Sequence, residues 1–430
     1  MNILIKNAFI VTMDEKKEII ERGYVLIEGE NIKSVGEGEY KGEFENIQNT
    51  KVINGENYCV MPGLINAHTH AAMTLLRGYG EGLPLMQWLN HKIWPMEAKF
   101  KEEHIKVGTE LACIEMLRSG TTTFNDMYFM QEQVLEVVKD MNMRAVLGLP
   151  MIGEAWENQL KQSLDIMQKV DKEGNSTLKM MFAPHSPYTL SYDALKGIAQ
   201  AAKEKNKRIH IHVSETEDEV NIMKEKYNKT TCELLEEVGI FQSPVVAAHC
   251  VHLTKKDMNI LQKAGVSPVY NPQSNMKLAS GTSPVGEMLD MRINVCLGTD
   301  GTSSNNNLNM FEEMETAAFL QKLKYSDATK ISPNTVLKMA TYNGAKALGF
   351  ENLGMIKEGF KCDIIMLDLN RPNMVPVYDM HSNLAFSANG SEVQYVIVNG
   401  NIIMEKGKLL NIDEEKIIYE GNKLCKKLIY

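Results

Sequence analysis

The chain lacks the features that would direct it to a membrane, to nucleic acid or into an oxidising compartment. No apolar run in its 430 residues approaches the ~20 needed to cross a bilayer. Its first residues, Met1-Asn2-Ile3-Leu4-Ile5-Lys6, read as a short strand without the apolar core of a signal peptide. There is no long basic run and the formal net charge is -9, which argues against nucleic acid or an anionic membrane surface as partner. The seven cysteines are odd in number and scattered, with no C-x-x-C. That excludes a disulfide framework or a cysteine zinc site and fits a reduced, cytoplasmic setting. No G-x-G-x-x-G follows a strand, so a doubly wound open sheet has no support beyond being the alternative.

What is present is enough apolar residue, 44%, for a sizeable core. Residues 1–58 read as small β-structure: Ile3–Val11, Tyr24–Ile27 and Ile32–Val35, with Gly29 and Asn31 between the last two. The C-terminal segment has the same character. Ile364–Leu367 is a strand, and Tyr395–Val398 turns at Asn399-Gly400, the favoured type I′ pair, into Ile402–Met404. Neither end holds enough strands to bury a face alone. The expectation is one β-sandwich made of 1–58 and 356–430, interrupted by a central domain at 59–355.

That central domain alternates strands and helices. Strand candidates are Val60–Asn66, Thr121–Asn125, Arg144–Pro150, Lys179–Pro184, Arg208–Val213, Val245–Ala248, Gly265–Tyr270 and Asn294–Gly298. Val107, Leu111, Ile114 and Leu117 share one helical face, and Leu337, Ala340, Ala345 and Leu348 lie in a late helix. Such alternation predicts an α/β fold of the (β/α)₈, TIM-like barrel type. A barrel requires functional residues at the C-terminal strand ends. Those ends read His68 and His70, Asp126, His185, His212, His249, Asn271 and Asp300. So many polar groups at strand ends are poor core filler.

His68 and His70, at i and i+2, leave one face of a strand. In Arg208-Ile209-His210-Ile211-His212-Val213, His212 is nearer the strand end and is the better ligand; His210, one layer deeper, reads as a hydrogen-bonded core imidazole. With Asp300 these make three nitrogens and one oxygen, a set suited to Zn²⁺ or Fe²⁺ with a position left for water. Such an ion lowers the pKa of bound water from about 15.7 to about 7. Glu215, just past the strand, reads equally well as a proton shuttle or as an acidic residue opening a helix. His249 is a candidate for holding the water or stabilising developing charge, against the plainer reading of a buried core histidine. The segment 71–100 is long for a loop and carries Met73, Leu76, Leu85, Met86, Trp88 and Trp94. A lid or aromatic wall for a flat ligand and ordinary helix packing are both open.

Pro62-Gly63-Leu64-Ile65-Asn66-Ala67-His68-Thr69-His70, His212-Val213-Ser214-Glu215, Ala248-His249-Cys250 and Gly298-Thr299-Asp300 resemble the amidohydrolase superfamily. More closely, nearly the whole chain resembles the methylthioadenosine/S-adenosylhomocysteine deaminases. The resemblance implies one divalent ion, Zn²⁺ foremost, on His68, His70, His212 and Asp300, with Glu215 as shuttle and His249 beside the attacking water. Binuclear members carry a lysine at the fourth strand end; here that end is Ala183-Pro184-His185-Ser186-Pro187, which favours a single metal. By the same resemblance His185 and Glu97 contact substrate, Glu97 through the ribose diol, as a carboxylate can. Glu215 and Asp300 would also touch the substrate.

Hydrolytic deamination of an adenine nucleoside, from 6-amino to 6-oxo, is therefore the expected activity. The metal kit equally serves guanine or cytosine deamination and triazine dechlorination, but a free base has no diol for Glu97. A non-catalytic barrel should have lost some of these ligands. The H-x-E and P-C-x-x-C motifs of the unrelated zinc base deaminases are absent. Leu149 stands where many members carry an arginine for the substrate tail, which disfavours S-adenosylhomocysteine against methylthioadenosine, 5′-deoxyadenosine and adenosine if Leu149 faces the cavity. Similar proteins are dimers or tetramers, so a homo-oligomer is expected by analogy. Elemental analysis of the purified protein should return about one equivalent of Zn²⁺ or Fe²⁺ per chain; two tightly held ions would contradict the single site.

Overall fold

A computed structural model describes residues 2–42 and 50–429. Its central feature is a ring of eight parallel strand positions. They are Leu64–Thr69, Thr121–Met127, Arg144–Gly148 continued at Pro150–Met151, Leu178–Met180 continued at Ala183–Pro184, Ile209–Val213, Val245–His249, Ser267–Tyr270 and Cys296–Leu297. Each pairs in parallel with the next. A bridge between Phe182 and Ile209 joins the fourth position to the fifth. The seam between eighth and first closes where Asp300 N donates to His68 O at 3.0 Å. Helices such as Glu102–Arg118 and Met310–Tyr325 lie between strands in sequence, so this is the expected (β/α)₈ barrel.

The two chain ends join in one nine-stranded sheet. Tyr58–Pro62 pairs with Asn2–Val11 on one side and antiparallel with Ile364–Asp368 on the other. Strand alternation gives this sheet two buried faces. Ile364 and Met366 join Ile3, Ile27 and Ile397 in a core of their own, while Ile365 and Leu367 face the barrel core. The Asn399-Gly400 turn has φ of 50° and 76°, the left-handed pair a type I′ hairpin needs.

The run Val60–Ile65, expected as one strand, is divided. Tyr58–Pro62 belongs to the terminal sheet and Leu64–Thr69 to the barrel. The chain crosses at Gly63, where a Cβ would come within 2.2 Å of Thr122 Oγ1. Burial on both faces explains why the run is continuously apolar. The C-terminal segment also differs from the all-strand expectation, because Glu414–Ile429 is a helix. Gly421, Leu424 and Leu428, at helical spacing, are buried, and a Cβ on Gly421 would meet Leu111 of the Glu102–Arg118 helix. The partly buried Val107 and Leu111 therefore face this helix, and the late helix is two short ones, Pro333–Met339 and Tyr342–Leu348.

Arg144 opens the third barrel strand at the end away from the histidines and is 1% exposed. Its guanidinium bonds Asp363 at 2.7 and 2.9 Å, Ser176 O at 3.0 Å and Asn399 Oδ1 at 3.0 Å. This ion pair ties the barrel to the terminal sheet. Removing one partner strands a buried charge. Asp363→Asn should lower unfolding free energy by about 3–5 kcal/mol, read as a shift in the denaturant midpoint, while Arg144→Met combined with Asp363→Leu should recover part of it.

Candidate active site

The barrel brings its strand-end histidines to one point. The rings of His68 and His70 lie 4.9 Å apart, His68 and His212 4.9 Å, and His212 and His249 5.4 Å. Asp300 Oδ1 sits 3.3 Å from His68 Nε2 and 3.2 Å from His70 Nε2. Ligand atoms of His68, His70 and Asp300 fall within 4.8 Å of one another, as do those of His68, His212 and His249.

Hydrogen bonds to the far ring nitrogens sort these histidines. His70 Nδ1 donates to Met127 O at 2.7 Å, and His212 Nδ1 donates to His185 O at 2.6 Å. Each therefore leaves Nε2 as the ring nitrogen that faces the cluster. His249 is the opposite case. The amides of Asn275 and Asn271 donate to its Nδ1 at 3.0 and 3.3 Å. Its proton then sits on Nε2, which points at Glu215 Oε2, 3.7 Å away. That makes His249 a donor into the site rather than a ligand, and burial holds it neutral, pushed down to about 3. His210 lies beneath the cluster, its Nε2 2.9 Å from His68 Nδ1, the core position expected for it.

The cluster fits a divalent cation. His68 Nε2 is buried without a hydrogen-bond partner. Burial disfavours a charged His70, yet the Asp300 carboxylate outweighs burial and pushes His70 up to about 9. Burial likewise acts to raise Asp300, but His68 and His70 hold it well below the usual carboxylate range. The group of side chains demands positive charge. Asp300 is also fixed from behind, since the hydroxyls of Ser274 and Ser304 donate to its Oδ2 at 2.6 and 2.9 Å.

A cavity of about 650 Å³, counting its solvent-open part, lies over the cluster. His185, Glu215, His249, Asp300 and Glu97 all line it. The segment 71–100 is a chain of short helical pieces and supplies Met73, Leu85, Trp88, Leu89, Ile93 and Trp94 to the wall. Its aromatic-wall reading is the one the geometry carries. Burial raises Glu215 well above an ordinary carboxyl, reinforced by the charges of Asp300 and Glu219. Burial pushes Glu97 up to about 7, against the lowering effect of Tyr128, whose hydroxyl donates to it at 2.6 Å. His185 is kept neutral by burial, at about 3.

Three expectations change. Leu149 is not a cavity residue: its neighbours Pro150 and Ile152 line the space, and alternation turns Leu149 away. Its bearing on the substrate tail falls with that. Asp126 does not face the cavity either; it accepts from Ala71 N at 2.7 Å and Thr69 Oγ1 at 3.2 Å, securing the chain beyond His70. Asn271 contributes through His249, not directly.

Glu219 escaped the sequence reading because the acidic run around it resembles any helix start. The helix does begin at Glu217, capped by Thr216, but Glu215 precedes it. Glu219 Oε1 and Oε2 accept the backbone N–H groups of Ser214 and Glu215 at 2.8 and 2.9 Å. Thr231 Oγ1 donates to Oε1 at 3.2 Å. This clamp holds Ser214 at a φ of 49°, an uncommon conformation for a non-glycine residue. Ser214 O in turn accepts from Val251 N and His252 N at 3.0 and 2.9 Å. The turns carrying Glu215 and His249 are thereby interlocked. Glutamine at position 219 must set an amide NH₂ against one of the two N–H groups. Glu219→Gln should keep its metal and lose about tenfold to a hundredfold in kcat, the worth of a charge-assisted hydrogen bond, measured at saturating substrate with metal content matched.

Comparison with known proteins extends these observations. The model of the amidohydrolase family matches residues 59–403. A 5-methylthioadenosine/S-adenosylhomocysteine deaminase from Clostridium tetani (strain Massachusetts / E88) is 61% identical over 429 residues, covering 100% of this chain and 99% of that protein. A 5′-deoxyadenosine deaminase from Methanosarcina mazei is 44% identical over 433 residues, covering 100% and 98%. The crystal structure of an adenosine deaminase from Xanthomonas campestris with bound zinc superposes with a TM-score of 0.94 at 31% identity, covering 99% of this chain and 98% of that one. With the family match spanning most of the chain and full-length relatives agreeing with it, this protein belongs to the amidohydrolase family.

Proposed function

We propose that this protein hydrolytically deaminates adenine nucleosides, with 5′-deoxyadenosine, methylthioadenosine, adenosine and S-adenosylhomocysteine as the candidate set. The observation that carries the reading is Glu97, a diol acceptor, lining the same cavity as Glu215, whose carboxyl burial raises, and the His/Asp cluster. The names of the relatives support it. His68, His70, His212 and Asp300 hold one divalent ion, Zn²⁺ or Fe²⁺. That ion supplies Lewis acidity, which activates a water at neutral pH.

The chain's own groups do the rest. Glu97 accepts from the ribose hydroxyls, and His185 contacts the substrate as a neutral imidazole. Glu215 gives its proton to purine N1, which makes C6 electrophilic. Water adds at C6 and its proton passes to Asp300. His249 Nε2–H donates to the oxygen as charge develops there. Asp300 returns its proton to the 6-amino group, the C6–N bond breaks and ammonia leaves. The remaining hydroxyl proton goes back to Glu215, leaving the 6-oxo product. Free cysteines throughout, and no described helix long and apolar enough to cross a membrane, accord with a cytoplasmic enzyme, and self-association is part of the same reading.

Ammonia release from a panel of adenine nucleosides, with adenine, guanine and cytosine as free-base controls, tests the proposal. Turnover should be confined to the nucleosides. Glu215→Gln should retain the metal and lose about a hundredfold or more in kcat; a variant with near-normal kcat would reduce Glu215 to a residue preceding a helix.

A further inference from the structure

Asp300 and His249, in the roles the nucleoside reading gives them, act on one reacting centre, and a single element orients both. The helix Pro272–Lys277 follows the seventh barrel strand. The amides of Asn271 and Asn275 donate to His249 Nδ1, and the Ser274 hydroxyl donates to Asp300 Oδ2. This helix therefore sets the tautomer of one group and answers an oxygen of the other. It has six residues, too few to hold its own place without packing.

Its anchor is Glu313, fully buried in the first turn of Met310–Tyr325. Glu313 Oε2 accepts from the backbone N–H of Gln273 at 3.3 Å, a group that a helix start leaves without an internal partner. Glu313 Oε1 accepts from the Asn305 amide at 2.6 Å. The same amide nitrogen donates to Thr299 O at 2.8 Å, one residue before Asp300. Gln273 adjoins Ser274 and Asn305 adjoins Ser304, the two serines that meet on Asp300 Oδ2. The two oxygens of one carboxylate thus hold the two segments that converge on Asp300. Glu313 itself does not line the cavity.

Resting on that reading, we propose that Glu313 is a positioning residue for the deamination. Through Gln273 and Asn305 it keeps Ser274, Asn275 and Ser304 in register, and so presents Asp300 and His249 to the substrate as one unit. Glutamine in its place has one acceptor oxygen and an amide NH₂. That NH₂ must face the donor of either Asn305 or Gln273, and the segment left without an acceptor shifts. Glu97 and His185, which bind substrate in this reading, lie on other elements. The loss therefore falls on the chemical step rather than on binding.

The test compares the unaltered protein with Glu313→Gln, Ser274→Ala and the double variant, at matched zinc content, on 5′-deoxyadenosine. Glu313→Gln should lose about tenfold to a hundredfold in kcat, with KM held within about twofold. Because Glu313 acts through Ser274, the double variant should lose far less than the product of the two single losses. A second readout needs neither substrate nor metal. Nitrogen NMR of the metal-free protein, with its histidines isotope-labelled, should place the His249 proton on Nε2. In Glu313→Gln that signal should move toward a mixture of the two tautomers. If Glu313→Gln does not fold, Asn305→Ala cuts the same link and should show the same loss in kcat. An unchanged kcat at matched zinc, a loss confined to KM, losses that multiply with Ser274→Ala, or an unmoved His249 signal each overturns the positioning role. No turnover of any nucleoside by the unaltered protein overturns the nucleoside reading, and the His249 signal then decides the role of Glu313 by itself.

Discussion

A largely buried carboxylate must have its lone pairs answered, and Asp300 is where this fold meets that demand. The side chain is 5% exposed. Ser274 and Ser304 donate to Oδ2, and Gly301 N donates to Oδ1 at 2.8 Å, with His68 and His70 Nε2 beyond it at 3.3 and 3.2 Å. Its backbone N–H meanwhile donates to His68 O and closes the barrel seam. One residue thus completes both the ring of strands and the cluster at its rim. The eighth strand is only Cys296–Leu297, and a strand that short holds position through such side-chain work rather than through its own ladder. The histidines show the same economy: carbonyls of Met127 and His185 and the amides of Asn271 and Asn275 decide which ring nitrogen faces inward.

Much of this was legible because it follows from periodicity. Strand alternation alone puts His68 and His70 on one side, and barrel topology alone brings His212, His249 and Asp300 to the same rim. The terminal hairpin at Asn399-Gly400 is written in a dipeptide with one favoured conformation. What could not be read is where two patterns overlap. Val60 to Ile65 is a single apolar run, and nothing in it marks that Gly63 separates a sheet buried on both faces from a barrel strand. The helix Glu414–Ile429 was hidden by the strands before it, although Gly421, Leu424 and Leu428 carry its period.

Glu219 and Leu149 show a different limit. Both sit next to residues whose importance the sequence does reveal. The role of Leu149 turns on which side of its strand the side chain leaves, and that of Glu219 on side-chain direction at a bend, where alternation no longer applies. At Ser214 the backbone enters the left-handed region, and from there spacing says nothing about which carboxylate faces the cavity and which faces the backbone. Glu215 and Glu219 are chemically identical, four residues apart. Burial raises both, but backbone N–H groups oppose it at Glu219, which reaches about 7. At Glu215 neighbouring negative charge adds to burial.

The crossing at Gly63 bears on how the molecule is made. Tyr58–Pro62 runs straight into the strand that delivers His68, and its long antiparallel partner is Ile364–Asp368, from the other end of the chain. During vectorial synthesis that partner leaves the ribosome only after all eight barrel strands. Tyr58–Pro62, which leads into the strand carrying His68, therefore waits with one edge uncovered until translation is nearly over. A nascent chain arrested before residue 364 exposes an apolar strand edge of the kind that chaperones bind.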